Sequence, residues 1–359
     1  MIFSIKRINK TYLLLFLILA LAAFLRFWRL PEMANYDFDQ EYAANFAYTV
    51  VKDFPIQLIG QGLSIQGLFM GPLYFYFLVP FFAAFNLHPI GGYVGSIILS
   101  LVIISLYFLV AKELFGNVAA IIAAFLRSIL FIEINNDWNM APVYASELLV
   151  LLTWLGFYRY WQEQIKVLPF LALLFGLYTS IHPILFPFYL VFLALLLIKK
   201  RLPNIKTTIL SIIFFIIPIS PLLLFEYWHK FLEVKLILGF FIGKSAEPIN
   251  FNRFTSYLNT ISAEPSRILA LNFLAKELVL LVLFGLVSFL IYKKVSFFKN
   301  RFHYQTLLLT FLTFVGYYTL FPAHVPEYYF LALSSLTLLY LSALLSLLKK
   351  HPIFTILLI

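Results

Sequence analysis

Five consecutive residues, Asp37-Phe38-Asp39-Gln40-Glu41, put three carboxylates directly after a long apolar run, in a chain that holds only four aspartates. Carboxylates beside a bilayer are retained where water and a task are present. Asp37 and Glu41 share a helical face, whereas Asp39 points elsewhere. Asp39 also stands where a helix begins, so a capping role competes with a catalytic one. A second acidic segment, Glu133-Ile134-Asn135-Asn136-Asp137-Trp138-Asn139, is read either as a polar turn with an aromatic anchor or as a second carboxylate converging on the first. Such a pair can accept the proton of a substrate hydroxyl or hold a cation. A metal, if any, would be a divalent ion on Asp39 and Asp137.

Other polar residues punctuate the apolar chain. His182 ends Tyr178-Thr179-Ser180-Ile181-His182, and His324 and Glu327 fall in one short turn with Tyr328 and Tyr329. A histidine there is either a turn residue or a ligand for phosphate. Arg253 and Arg267, with Lys230, Lys235 and Lys244, lie between two apolar runs. Their charge suits phosphate oxygens, and Arg can bind them bidentately. Gly243-Lys244-Ser245 lacks P-loop spacing, and no metalloprotease, nucleophile-elbow or dinucleotide fingerprint occurs.

The elements that position these residues are membrane helices. The 359 residues are 63% hydrophobic and 12% charged, and mean hydropathy is +0.94. That excludes an ordinary soluble domain. The absence of cysteine excludes disulfides and thiolate metal sites. A net charge of +10 sits in short clusters between apolar runs, the positive-inside pattern rather than a nucleic-acid surface. About ten apolar runs, some of them short, are read as spans: 11–28, 91–111, 116–132, 142–161, 167–181, 183–198, 207–225, 273–292, 304–321 and 328–348. The first continues past a small-x-small site at 20–22 and is read as an uncleaved span.

The stretch from Pro72 to Phe85 decides the topology. If it does not cross, the basic clusters from Lys6 to Lys350 fall on one side. Pro72 and Pro80 fit an interrupted helix lying in the outer leaflet. The expectation is a single all-α polytopic domain with a cytoplasmic N-terminus. It has a first outer loop over 29–90, spans over 91–225, an outer loop over 226–272, spans over 273–348, and a short end at 349–359 read as an interfacial tail or a truncation. All four aspartates then lie outside. No internal repeat is seen, which disfavours a pseudosymmetric transporter.

In order and placement, Asp39-Gln40-Glu41-Tyr42, Gly71-Pro72-Leu73-Tyr74-Phe75-Tyr76, Lys112-Glu113-Leu114-Phe115-Gly116, Asp137-Trp138-Asn139 with Pro142, and Ile181-His182-Pro183 are together similar to the GT-C polytopic glycosyltransferases. The likeness is to the bacterial branch of the dolichyl-phosphate-mannose–protein mannosyltransferase and aminoarabinose transferase families. It covers residues 10–200 well and the rest by hydropathy. The resemblance implies an inverting transfer of a sugar from a polyprenyl-phosphate carrier to a protein, lipid or polysaccharide acceptor at the outer face of the plasma membrane. It implies Asp39 as general base, Asp137 as a second acid, and Asp37 and Glu41 as supporting carboxylates. His182, Arg253, Arg267, His324, Glu327 and Tyr74 would line the substrate and lipid-phosphate site, with membrane lipids as surroundings and a divalent cation as an optional cofactor. The family often carries Asp-Glu where this chain has Asp39-Gln40. The competing readings are a lipid-linked sugar flippase and a non-catalytic envelope subunit.

Overall fold

A computed structural model describes residues 10–63, 65–242, 251–268, 300–321 and 325–347. These residues are helical throughout, apart from links and one isolated bridge between Gly62 and Phe69. The chain is an all-α membrane protein. The expected span over 273–292, the tail over 349–359 and Lys6, Arg7, Lys244 and His324 lie outside the described residues.

Helix α1 (Lys10–Phe27) leads into a long loop carrying α2 (Leu30–Met33), α3 (Phe38–Asp53) and α4 (Leu73–Ala84). The 12 residues of α4 reach about 18 Å, short of a ~30 Å hydrocarbon core. By length it is grouped with the shorter apolar helices rather than with those long enough to cross. α5 (Ile90–Phe115), α6 (Asn117–Ile129), α7 (Phe131–Asp137), α8 (Pro142–Trp161), α9 (Leu168–Ile181), α10 (Pro187–Lys199) and α11 (Ile205–Trp228) follow. α12 (Leu232–Ile242), α13 (Phe251–Ile268), α14 (Arg301–Leu320) and α15 (Leu331–Leu347) complete the description. Among the described residues four helices are long and apolar enough to cross a membrane, or five if the bent α6–α7 pair is one span.

Two parts of the chain differ from the loops expected. Residues 131–137 form α7, bent by 66° from α6 at an extended Leu130. The outer segment over 226–272 is largely helical, as α12 and α13. In both, buried partners supplied by other helices order a polar sequence that reads locally as loop.

Contacts define two ends of the bundle. At one end Lys112 Nζ donates to Tyr12 Oη at 2.9 Å, Arg159 pairs with Glu113 at 2.9 Å and Arg201 with Glu163 at 3.1 Å. Lys112 and Tyr12 meet only if α1 and α5 run antiparallel, so the 29–90 loop begins and ends on the same side. At the other end the first loop, the α6–α7 bend, the α9–α10 turn and Tyr328 gather. The large exposed apolar side chains of α1 and α11, such as Phe16, Leu17, Ile212 and Ile217, present the surface that lipid covers.

Candidate active site

The capping role weighed for Asp39 falls instead to Asp37, because α3 starts one residue earlier, at Phe38. The Asp37 backbone is extended, its carboxylate accepts from Phe38 N–H at 2.7 Å, and Gln40 Oε1 returns the bond to Asp37 N–H at 3.0 Å. This capping box fixes the start of α3. Asp39, one position into the helix, is thereby released from capping. Asp37 and Glu41 are exposed, while Asp39 is half-buried. Gln61 Nε2 donates to Asp39 Oδ1 at 2.6 Å, which orients the carboxylate.

Gln40 is buried and links the two acidic segments. Its Nε2 donates to Asn139 Oδ1 at 2.6 Å while its Oε1 serves the cap. An amide both donates and accepts; an ionised glutamate in its place only accepts. The segments therefore converge through Gln40 and Asn139 rather than through paired carboxylates.

The ribbon from Gly60 to Met70 holds Gln61 in place. Gly60 N–H donates to Met70 O at 2.6 Å, and Met70 N–H to Gln61 O at 2.9 Å. Gly71 N–H then donates to Thr179 O on α9 at 2.8 Å, and a Cβ on Gly71 would stand 2.2 Å from Ser180 Oγ. The glycine is thus required for close approach of backbone to α9. That contact sets the start of α4 and places Tyr74, 4% exposed, beside Asp39. Burial, with the nearby Asp39 carboxylate, pushes the Tyr74 phenol well above its usual value, so it stays protonated. Tyr144 of α8 is also within electrostatic reach of Asp39 and of Tyr328.

His182 lies in the turn between α9 and α10, packed edge-on to Tyr328 and Tyr329 with ring centroids 5.9 and 5.3 Å away. Its Nδ1 accepts from Ile184 N–H at 3.3 Å. Burial lowers its pKa to about 3, so the ring is neutral. The imidazole thus caps this turn in its neutral form.

Asp137 differs most from the sequence reading. It is 6% exposed, and both its oxygens are engaged. Arg26 Nε donates to Oδ2 at 2.7 Å, Arg127 Nη1 to Oδ2 at 2.9 Å and Arg127 Nη2 to Oδ1 at 2.7 Å. Arg127 Nε reaches Glu147 Oε2 at 2.8 Å, and Tyr107 Oη donates to Glu147 Oε1 at 2.6 Å. Arg26 Nη1 further donates to Ser128 O at 2.9 Å, and Trp138 Nε1 to Arg26 O at 2.9 Å. The network ties α1, α5, α6, α7 and α8 together. Two guanidinium groups occupy the space a cation on Asp137 would need, so its donor set does not fit a metal. Among the described residues no group of three His, Asp or Glu side chains is arranged for one either. Arg26 and Arg127 were missed by sequence reasoning. The signal was present: each arginine interrupts an otherwise apolar run near the acidic end.

An apolar cavity of about 390 Å³ adjoins this region, walled by Met70, Thr179, Pro183, Leu222, Tyr318 and Tyr329 among others. Met70 of this wall belongs to the ribbon that holds Gln61, and Tyr329 packs on His182, so one ribbon connects the cavity to the carboxylate's partner. Glu233 is its ionisable lining group. Burial, then the Glu226 carboxylate, pushes Glu233 up to about 7 despite a bond from Phe69 N–H. Arg253 is buried on α13, and its Nη1 donates to the carbonyl of Phe321, another cavity residue, at 2.7 Å. The side chains of Arg267 and Glu327, and all of His324, lie outside the described residues.

Residues 70–225 match the family described as dolichyl-phosphate-mannose-protein mannosyltransferase. The GT-C resemblance of the sequence is thus met by a family match. This is an all-α membrane protein that carries the match to that family over residues 70–225. The fold is similar to that in a crystal structure of ArnT from Cupriavidus metallidurans bound to undecaprenyl phosphate, with TM-score 0.65 and 11% identity. The similarity covers 94% of this chain and 60% of that one, so the chain spans well under two thirds of its structural relative. No curated protein sequence matches it significantly.

Proposed function

We propose that this GT-C-type protein is an inverting glycosyltransferase that moves a sugar from a polyprenyl-phosphate carrier to an acceptor hydroxyl, with Asp39 as general base. The observation that carries the reading is Asp39 itself: half-buried, uncommitted to capping, and oriented at 2.6 Å by Gln61, whose ribbon also gives Met70 to the wall of an apolar cavity of about 390 Å³. An isoprenoid chain would lie in that cavity. The family match and the undecaprenyl phosphate bound to the ArnT neighbour support this class of donor.

In the transfer, the acceptor oxygen attacks the anomeric carbon and its proton passes to Asp39. The carbon–oxygen bond to phosphate breaks on the opposite side, and polyprenyl phosphate leaves with the bonding pair. A single displacement inverts the anomeric configuration. Arg253, beside the cavity, would stabilise the charge gathering on the leaving phosphate. Tyr74 and Tyr144 stay uncharged next to Asp39 and would donate hydrogen bonds to sugar hydroxyls.

The site would face the outside of the plasma membrane, with the N-terminus in the cytoplasm. Lys112, Arg159, Lys199 and Arg201 cluster at the bundle end away from Asp39, as the positive-inside rule asks of a cytoplasmic face. The test supplies purified protein with radiolabelled undecaprenyl-phosphate hexoses and a membrane-extract acceptor pool. Transfer by the wild type, reduced about 10²- to 10⁴-fold in Asp39→Asn, is expected. Asp39→Asn with wild-type turnover would overturn the assignment.

A further inference from the structure

Glu233 is a buried carboxyl that the transfer chemistry above leaves unused. It is 9% exposed, lines the cavity, and its Oε1 has no hydrogen-bond partner. Glu226 already performs the local structural task. Its two oxygens accept from Glu233 N–H at 3.0 Å and Val234 N–H at 3.2 Å, fixing the corner from α11 into α12. Glu233 adds nothing to that corner, and a buried acceptor without a donor is unfavourable. The cavity wall includes the hydroxyls of Thr179, Tyr317, Tyr318 and Tyr329, and none of them bonds Oε1. A ligand is the natural source of a donor.

The position of Glu233 narrows the ligand. Phe69 N–H bonds the Glu233 carboxyl, the adjoining Met70 pairs with Gln61, and the Gln61 side chain holds Asp39. The carboxyl and the base are therefore connected by one ribbon. A donor whose chain lies in the cavity and whose anomeric carbon lies at Asp39 carries its sugar along that ribbon.

We propose that Glu233 is a specificity residue that accepts a hydrogen bond from a hydroxyl or ammonium group of the donor sugar, and so distinguishes the glycosylated carrier from the bare carrier phosphate. The proposal rests on the transferase reading. The bare phosphate has no sugar hydroxyl or ammonium group to make that contact. The same residue thus favours loaded donor over spent product.

The experiment measures equilibrium binding of three radiolabelled lipids to the full chain in detergent: undecaprenyl phosphate, undecaprenyl-phosphate hexose and undecaprenyl-phosphate amino-hexose. Glu233→Leu should weaken at least one sugar lipid by about tenfold or more while binding the bare carrier as the wild type does or more tightly. Retained bare-carrier binding shows that the variant is folded. Glu233→Gln separates the sources: it keeps a hydroxyl partner and loses an ammonium one. Unchanged binding of both sugar lipids, or parallel weakening of all three, overturns the role of Glu233. Wild-type protein that binds no carrier at all overturns the transferase reading, and this one with it.

Discussion

Asp137→Asn should unfold the protein rather than disarm it. The substitution removes the negative charge that two buried guanidinium groups share at 2.7 Å each. Glu147 remains at 2.8 Å from Arg127, and Glu133 only at 3.7 Å. Arg26 then loses its carboxylate partner while 0% exposed. Removing one member of a buried ion pair costs about 3–5 kcal/mol, because the remaining charge stays uncompensated. That lowers the folded-to-unfolded ratio on the order of 10² to 10³. The assay is thermal or denaturant unfolding in detergent, read beside Asp39→Asn. Asp39 is held by the neutral amide of Gln61, so its asparagine variant should melt close to the wild type. The double variant Arg26→Met/Asp137→Asn should recover part of the loss by removing the orphaned charge. An Asp137→Asn protein with wild-type stability and selectively lost turnover would refute the structural role and return Asp137 to the catalytic set.

Further outcomes follow from the same geometry. Gln61→Leu should cut kcat by roughly tenfold or more with a smaller change in KM, since it removes the bond that orients Asp39; equal kinetics would mean that the carboxylate is held otherwise. Gly71→Ala places a Cβ 2.2 Å from Ser180 Oγ, so it should push α4 off α9 and depress both stability and transfer, while Gly62→Ala, with no contact closer than 3.9 Å, is the mild control. Glu233 gives a pH test by stability. Its carboxyl titrates at about 7 when folded against 4.5 in the ordinary state, so only the folded chain keeps the proton between these values. Stability therefore falls as pH rises from about 4.5 to about 7 and stays lower above, by on the order of 1–3 kcal/mol at most. Glu233→Gln should flatten that slope in melting curves between pH 5 and pH 8; a slope identical to wild type would show that another group titrates.

The membrane class and the short, proline-interrupted character of α4 were legible because both are sums over local sequence. A 12-residue apolar helix containing Pro80 is too short to cross wherever it is placed, and basic clusters report sidedness without any knowledge of packing. The importance of the first loop was legible for the same reason, since carboxylates are rare and conspicuous in this composition. Helicity in the polar segments 131–137 and 251–268 was not legible. It depends on partners brought from elsewhere, such as Arg127 for α7 and Phe321 and Val325 for α13.

What the sequence by itself determined is that acids cluster at two places beside a bilayer, with the basic clusters assigned to the opposite side. Only the tertiary structure decided which acid does what. Asp37 caps α3, Asp39 is left out of the cap and held by Gln61, and Asp137 is consumed by Arg26 from 111 positions away. The physical reason is that a carboxylate's role is set by the donors that reach it. Those donors arrive with the crossing of helices, which residue spacing does not encode.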